Sequence, residues 1–168
     1  TEVIIQDNVK YVTDVSLGNM YAQLLKYDLP LDNSFYDVVA PITKEYIKVF
    51  NRENATSLGK IAITCGYLKV QDAELWKLLF KKLQDEGLHK YVTLNSTVFL
   101  LEALTVHGAF NNEPLVQTLH NTIVKHKSFY ERFPHLLEVI DRISSQVRSS
   151  GVRQEQPQLG QKLKEISH

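Results

Sequence analysis

The sequence predicts an all-α protein: a short α-solenoid of about three helix–turn–helix repeats, closed by a C-terminal capping helix, with about seven helices in all. Three observations predict this fold: a repeat of about 40 residues, apolar residues spaced three and four apart within each copy, and an Asp or Asn that opens each copy. We expect an N-terminal arm over residues 1–15, one helical-repeat domain over residues 16–148, and a polar C-terminal tail over residues 149–168.

The repeat is clearest in the second helix of each unit. Asp32–Val39, Asp72–Leu79 and Asn112–Leu119 follow one another at intervals of about 40 residues. The first residue of each copy is a favourable N-cap, because its side chain can accept a hydrogen bond from a backbone N–H that has no partner inside the helix. Residues four apart lie on one helical face. The apolar pairs with this spacing are Phe35 with Val39, Leu75 with Leu79, and Leu115 with Leu119.

The first helix of each unit repeats more weakly. Ser16-Leu17-Gly18 matches Ser57-Leu58-Gly59 at a shift of 41 residues. Together with the periodic apolar positions, these motifs predict seven helices. Their expected ranges are 16–27, 33–51, 57–68, 72–86, 96–107, 113–126 and 134–148.

Single units of this kind cannot bury their apolar faces, so stacking has to form a continuous core and the ends of the stack need caps. The last predicted helix opens with Pro134, which suits the first turn of a helix. We expect it to close the stack through one apolar face. The residues of that face are Leu136, Leu137, Ile140, Ile143 and Val147.

Composition limits the classes of function. Lys plus Arg and Asp plus Glu each number 19, so the formal net charge is zero and there is no general basic excess for nucleic acid. The single cysteine, Cys65, excludes a disulfide within the chain and a paired-cysteine metal site. No apolar run is long enough for a membrane span. The chain begins at Thr1 rather than Met, as expected of a processed mature chain or of a trimmed one.

No constellation of catalytic residues is present in the sequence. The nucleophile elbow, the P-loop, the dinucleotide fingerprint and the zinc-protease motif are all absent. His120 and His126 lie six residues apart, which places them on different helical faces. Cys65 lies in an apolar helix and is expected to be a buried small side chain. We therefore expect no enzyme activity, no metal site, no cofactor and no small-molecule substrate.

Several other residues have a structural and a functional interpretation. Trp76 is expected in the packing between helices, with a contact to a partner as the alternative. The glycosylation patterns at Asn54 and Asn95 lie at helix starts, where such residues serve as caps. Lys125-His126-Lys127 is expected at a solvated helix end, with a phosphate contact as the alternative.

The tail, residues 149–168, is rich in Gln and poor in apolar residues. One interpretation is a terminus without fixed structure. The other is an arm that becomes ordered on a partner. Leu159, Leu163 and Ile166 have the spacing of one helical face and are the candidate partner contacts.

The helix–turn–helix units resemble the pentatricopeptide-type repeat, although they are longer and lack a regular polar position that would recognise one base per unit. The residues that carry this resemblance are Leu17–Pro30 with Leu31–Thr43, Leu58–Val70 with Asp72–Leu83, and Val98–Ala109 with Asn112–Ile123.

Within this class, the chain is similar to the pentatricopeptide-like accessory subunits of the euglenozoan mitochondrial F1-ATPase. The similarity lies in length, helix number, degenerate repeats and neutral charge. It implies a non-catalytic structural subunit of the F1 sector of ATP synthase, bound to the outside of the α subunit. It also implies a location in the mitochondrial matrix, peripheral to the inner membrane through the complex.

Two other functions stay open. An RNA-binding helical-repeat protein of the mitochondrion would need its lysines on one face; the candidates are Lys60, Lys77, Lys81, Lys82 and Lys90. A peptide-binding solenoid similar to tetratricopeptide proteins is the third possibility, but the period of those repeats is about 34 residues.

Overall fold

The computed structural model describes residues 13–27, 29, 32–108 and 114–149. The predicted all-α class is confirmed, since these residues form helices and turns and include no strand. Residues 1–12 of the predicted arm, the predicted cap Asn112, and the tail from residue 150 lie outside the described residues.

Eight α-helices occur in the described part, one more than the approximate number expected. The additional helix is a single turn, α7. A π-turn, Lys81–Asp85, extends α4, and two 3-10 turns occupy Arg52–Asn54 and Leu88–Tyr91. The α-helices are α1 Asp14–Lys26, α2 Asn33–Val49, α3 Ala55–Tyr67, α4 Ala73–Phe80, α5 Leu94–His107, α6 Pro114–Lys125, α7 Lys127–Tyr130 and α8 Pro134–Ser149.

Two N-caps are the residues predicted from the sequence, and one helix begins earlier than predicted. Asp32 and Asp72 accept hydrogen bonds from the N–H groups of Phe35 and Leu75, as predicted. However, α1 begins two residues before its expected start. Thr13 is its N-cap, and Ser16 is the third helical residue whose side chain bonds back to the N–H of Thr13. The helix therefore includes the end of the predicted arm.

The chain divides into two compact units, Thr1–Val92 and Thr93–His168. In the first unit, α1 packs against α3 and α2 packs against α4, so equivalent helices of the first two repeats lie side by side. In the second unit, α5 packs against α6 and α8. The prediction of one repeat domain over residues 16–148 stays a prediction.

Hydrogen bonds between α1 and α3 follow the repeat. Asn54 donates from Nδ2 to Asp14 at 3.0 Å, and Lys60 donates from Nζ to Asn19 at 2.7 Å. The Thr64 hydroxyl donates to the carbonyl of Tyr21 at 3.1 Å. Partners are 40, 41 and 43 residues apart and advance together along both helices, so α1 and α3 run parallel. The repeat of about 40 residues is thus present as helix stacking in this unit.

The two Ser-Leu-Gly motifs meet where α1 and α3 are closest. A Cβ atom added at Gly18 would lie 3.0 Å from the Cα atom of Ser57 and 3.1 Å from its Cβ atom. Such contacts are too short for an ordinary side chain, so the backbones approach to this distance only because residue 18 is glycine. Gly59, the equivalent residue of the next repeat, has more room: an added Cβ would lie 3.7 Å from the side chain of Val92.

Helices α5 and α8 of the second unit are joined by an ion pair. Arg142 donates from Nε to Glu102 at 2.7 Å and from Nη2 at 3.2 Å, and these residues are 40 positions apart. Leu136, Ile140 and Ile143 are fully buried, as predicted for α8, while Leu137 is half-buried. The side chain of Val147 lies outside the described part. Helix α8 therefore takes the position of a first helix in a further repeat, and Glu138 and Ser145 are exposed on it.

We expect Gly18→Ala to lower the free energy of unfolding by about 1–2 kcal/mol, because its new methyl group would push α1 away from the backbone of Ser57. Gly59→Ala is the matched control, since its methyl group makes only ordinary contacts and alanine gains up to about 1 kcal/mol over glycine in a helix interior. Urea unfolding followed by circular dichroism measures both variants. Equal effects of the two substitutions would contradict the close approach at Gly18.

Candidate functional site

The residues that could carry out catalysis are used in packing. Cys65 in α3 is fully buried, and burial raises the pKa of its thiol, so the reactive thiolate is disfavoured. His120 in α6 is buried, whereas His126 is half-buried and donates from Nδ1 to the carbonyl of Thr122 at 2.9 Å. No group of three or more His, Cys, Asp or Glu side chains suited to a metal ion occurs within the described ranges.

The two glycosylation patterns lie at helix starts, as expected. Asn54 occupies the N-cap position of α3, but its side chain makes no cap bond: Nδ2 donates to Asp14 and Oδ1 accepts from the N–H of Asn51. Asn95 lies one residue inside α5, whose cap is Thr93. The capping role expected for these two asparagines is therefore wrong in detail: Thr93 caps α5, α3 has no side-chain cap bond, and Asn54 instead completes the capping box of the 3-10 turn Arg52–Asn54.

Trp76 lies in the packing between helices, as predicted. Its side chain is only 5% exposed, and Nε1 donates to the carbonyl of Val70 at 2.8 Å. The indole ring lies 5.4 Å from the ring of Phe80. A partner could not reach this side chain without unfolding part of the unit, so its interpretation as a partner contact is wrong.

Asp72 is the centre of a polar network that joins α2 to α4. Besides capping α4, it accepts a hydrogen bond from the hydroxyl of Tyr36 at 2.8 Å and pairs with Nζ of Lys44 at 3.0 Å. Burial acts to raise the pKa of Asp72, but the bonds from Lys44, Tyr36 and the N–H of Leu75 outweigh it and hold the pKa below its ordinary value. Burial and the contact with Asp72 raise the pKa of Tyr36. This network joins α2 to α4.

The lysines proposed for RNA do not form one exposed face. Lys82 is only 7% exposed; its Nζ donates to the carbonyl of Phe50, at the end of α2, and pairs with Glu86, each at 3.0 Å. Lys60 donates to Asn19. Three of the five candidates are exposed to solvent, Lys77, Lys81 and Lys90. The predicted five-lysine face is therefore wrong, because Lys82 is buried and Lys60 is bonded to Asn19.

An open cleft of about 380 Å³ lies in the first unit, between the 3-10 turns Arg52–Asn54 and Leu88–Tyr91. Both charge signs are present on its wall, from Arg52, Glu53 and Glu86. Tyr91 in its lining is 53% exposed, and Val49, which precedes the lining residue Asn51 by two positions in the chain, is 72% exposed. We call Val49, Tyr91 and the cleft the cleft surface. The cleft-lining residues are Asn51, Arg52, Glu53, Glu86, Leu88 and Tyr91.

No family model matches the chain, and no curated protein matches it significantly. None of the described helices combines the length and the apolar character that a membrane crossing requires. The candidate tail contacts Leu159, Leu163 and Ile166 lie outside the described residues.

We expect the thiol of Cys65 to react with an aromatic disulfide reagent at least ~100-fold more slowly in the native chain than in denaturant, because reaction requires local opening of α3. The matched control is Thr56→Cys combined with Cys65→Ala, which places a thiol at an exposed position of the same helix. Absorbance at neutral pH follows both reactions. Rapid reaction of native Cys65 would show that the thiol is accessible.

Asp72→Ala should lower the free energy of unfolding by about 2–3 kcal/mol, since it removes a helix cap and two further bonds to a charged carboxylate. Asp32→Ala is the control: Asp32 also caps a helix, but its other bond is only to the neighbouring Ser34, so a smaller loss is expected. Urea unfolding of both variants at pH 7 provides the comparison.

The stability that Asp72 contributes should depend on pH. Its folded pKa lies below the ordinary value, so the contribution is complete above that value and is lost as pH falls through the folded pKa. The difference in unfolding free energy between the native chain and Asp72→Asn should thus be larger at pH 7 than at about pH 3. A difference that grows on acidification would contradict the network.

Proposed function

We propose that this chain is a non-catalytic subunit that binds a larger protein assembly, and that the assembly is the F1 sector of the mitochondrial ATP synthase, with the outside of the α subunit as the contact. The observation that carries the proposal is the stacking of equivalent helices at a spacing of about 40 residues. Stacked helical repeats typically serve as binding surfaces.

The positions of the polar side chains support a binding role. Asp14, Asp72 and Lys82 hold one helix against another in the first unit, and Glu102 does the same in the second. Catalysis would need such groups directed into a pocket, with a substrate position within hydrogen-bond reach. The polar groups of this chain instead stabilise a scaffold, which is what a structural subunit requires.

The burial and ion pairing of lysines in the first unit favour a protein partner over nucleic acid. Phosphate contacts supply most of the affinity for RNA and require exposed cations on a common face. In the first unit Lys82 is buried and Lys44 pairs with Asp72 and Glu74. By contrast, the cleft surface exposes a large aliphatic and an aromatic side chain, and buried aromatic anchors carry much of the binding energy in protein interfaces.

The proposal is tested by gentle purification from mitochondria with a tag on this chain, followed by mass spectrometry with and without ribonuclease. We expect the α and β subunits of F1 to co-purify at a constant ratio that ribonuclease does not change. Recovery of ribosomal or RNA-processing proteins that ribonuclease releases would overturn the proposal in favour of the RNA-binding alternative.

The same purification locates the contact. Val49→Ser with Tyr91→Ser should reduce recovery of the α subunit about 30-fold, because two side chains that the partner would cover would each lose contacts of about 1 kcal/mol. Val15→Ser with Tyr27→Ser is the matched control, since these residues are similarly exposed, at 57% and 59%. An equal loss in the control would remove the cleft surface from the proposal.

A further inference from the structure

The connection between α6 and α8, residues 125–135, is a basic and aromatic segment in a chain of zero net charge. Lys125, Lys127 and Arg132 are exposed, and none of them makes an ion pair with any described residue. The segment has one acidic residue, Glu131, also exposed. Three basic side chains and one acidic side chain give this short stretch a formal charge of two positive units, with both histidines neutral.

These charges are held on a fixed backbone. Tyr130, at the middle of the segment, is fully buried, and its hydroxyl donates to the carbonyl of Leu94 at 2.8 Å. The N–H of Phe133 donates to the carbonyl of Tyr130 at 2.9 Å. His126 is tied to the last turn of α6 through the carbonyl of Thr122. A positioned surface loses less conformational entropy on binding than a flexible basic loop would lose.

Aromatic rings lie between the cations. The rings of Phe129 and Phe133 are 5.0 Å apart, and both residues are half-buried. The guanidinium carbon of Arg132 lies 5.7 Å from the centre of the Phe133 ring, and His135 meets the same ring edge-on at 6.0 Å. The segment therefore offers a small apolar area with the cation of Arg132 next to it, and two further exposed cations, Lys125 and Lys127, precede it in the chain.

We propose that residues 125–135 are a docking site for an acidic segment of a partner protein. Carboxylates of that segment pair with Lys125, Lys127 and Arg132, and an apolar side chain of the partner covers Phe129 and Phe133. Electrostatic complementarity of this kind increases the rate of association and fixes the register of the complex. The inference rests on the protein-binding part of the proposed function, but it does not require the partner to be the F1 α subunit.

An acidic protein segment fits this surface better than single-stranded RNA does. Base stacking needs open aromatic faces. Here Phe129 packs against Tyr130 and Phe133, and Arg132 lies over Phe133, so these rings are largely engaged within the segment.

The test is titration of the full chain with a short fluorescent peptide rich in Glu and carrying Leu, followed by anisotropy at low salt. Companion probes are the same peptide with Gln in place of Glu, and a single-stranded RNA oligomer. We expect the acidic peptide to bind, to weaken with added salt, and to shift backbone amide NMR signals of residues 125–135. The Gln peptide and the RNA should bind at least ~10-fold more weakly.

A charge-removal variant provides the decisive comparison. The triple substitution Lys125→Gln, Lys127→Gln and Arg132→Gln should weaken peptide binding at least ~10-fold, while Lys125→Arg with Lys127→Arg should retain it. The matched control removes three exposed lysines of the first unit and should change binding by less than ~2-fold. Its substitutions are Lys77→Gln, Lys81→Gln and Lys90→Gln.

Three results would overturn the inference: no peptide binding at low salt, equal weakening by the control triple variant, or tighter binding of RNA than of the acidic peptide. Circular dichroism of each variant verifies that the fold is intact, and all of these positions are exposed. Failure of the co-purification with F1 subunits, with peptide binding intact, would overturn only the identity of the assembly. The two proposals therefore fail separately.

Discussion

The close approach of α1 to α3 at Gly18 is the constraint on which the first unit depends. Because residue 18 has no side chain, the backbone of Ser57 can lie within contact distance. Only at this spacing can the short side chain of Asp14 reach Asn54, and the hydroxyl of Thr64 reach the carbonyl of Tyr21. A wider spacing would break these bonds together and leave the buried Thr64 hydroxyl without its partner, at a cost of about 1–3 kcal/mol.

Charged groups near the core also make their bonds between helices that are equivalent in successive repeats. Lys82 is buried against the last carbonyl groups of α2, where a positive charge is favourable, and Glu102 is buried against Arg142. A buried charge without a partner would be strongly destabilising, so each pair also specifies which helices come together. These pairs therefore join specific helices in the fold.

Local signals in the sequence predicted the elements well, while long-range contacts could not be predicted. The caps Asp32 and Asp72 depend on residues three positions away, and the sequence shows such short-range patterns directly. Tyr36 and Lys44 as partners of Asp72 depend on how two helices pack. The bond from Lys82 to the carbonyl of Phe50 likewise depends on how two helices pack.

The basic connection between α6 and α8 shows why a surface is harder to predict than a core. In the sequence, Lys125 and Lys127 have the pattern of an ordinary solvated helix end. The role proposed for them depends on Tyr130, whose buried hydroxyl fixes the segment to the start of α5, and on Phe129, Phe133 and Arg132, which contact one another in that segment. A core residue can be recognised in the sequence from the periodic spacing of apolar residues. A binding surface depends in addition on buried residues, here Tyr130, that fix the backbone from which the exposed side chains extend. Partner sites in such a repeat protein are therefore best sought at the connections, where one buried anchor positions several exposed side chains.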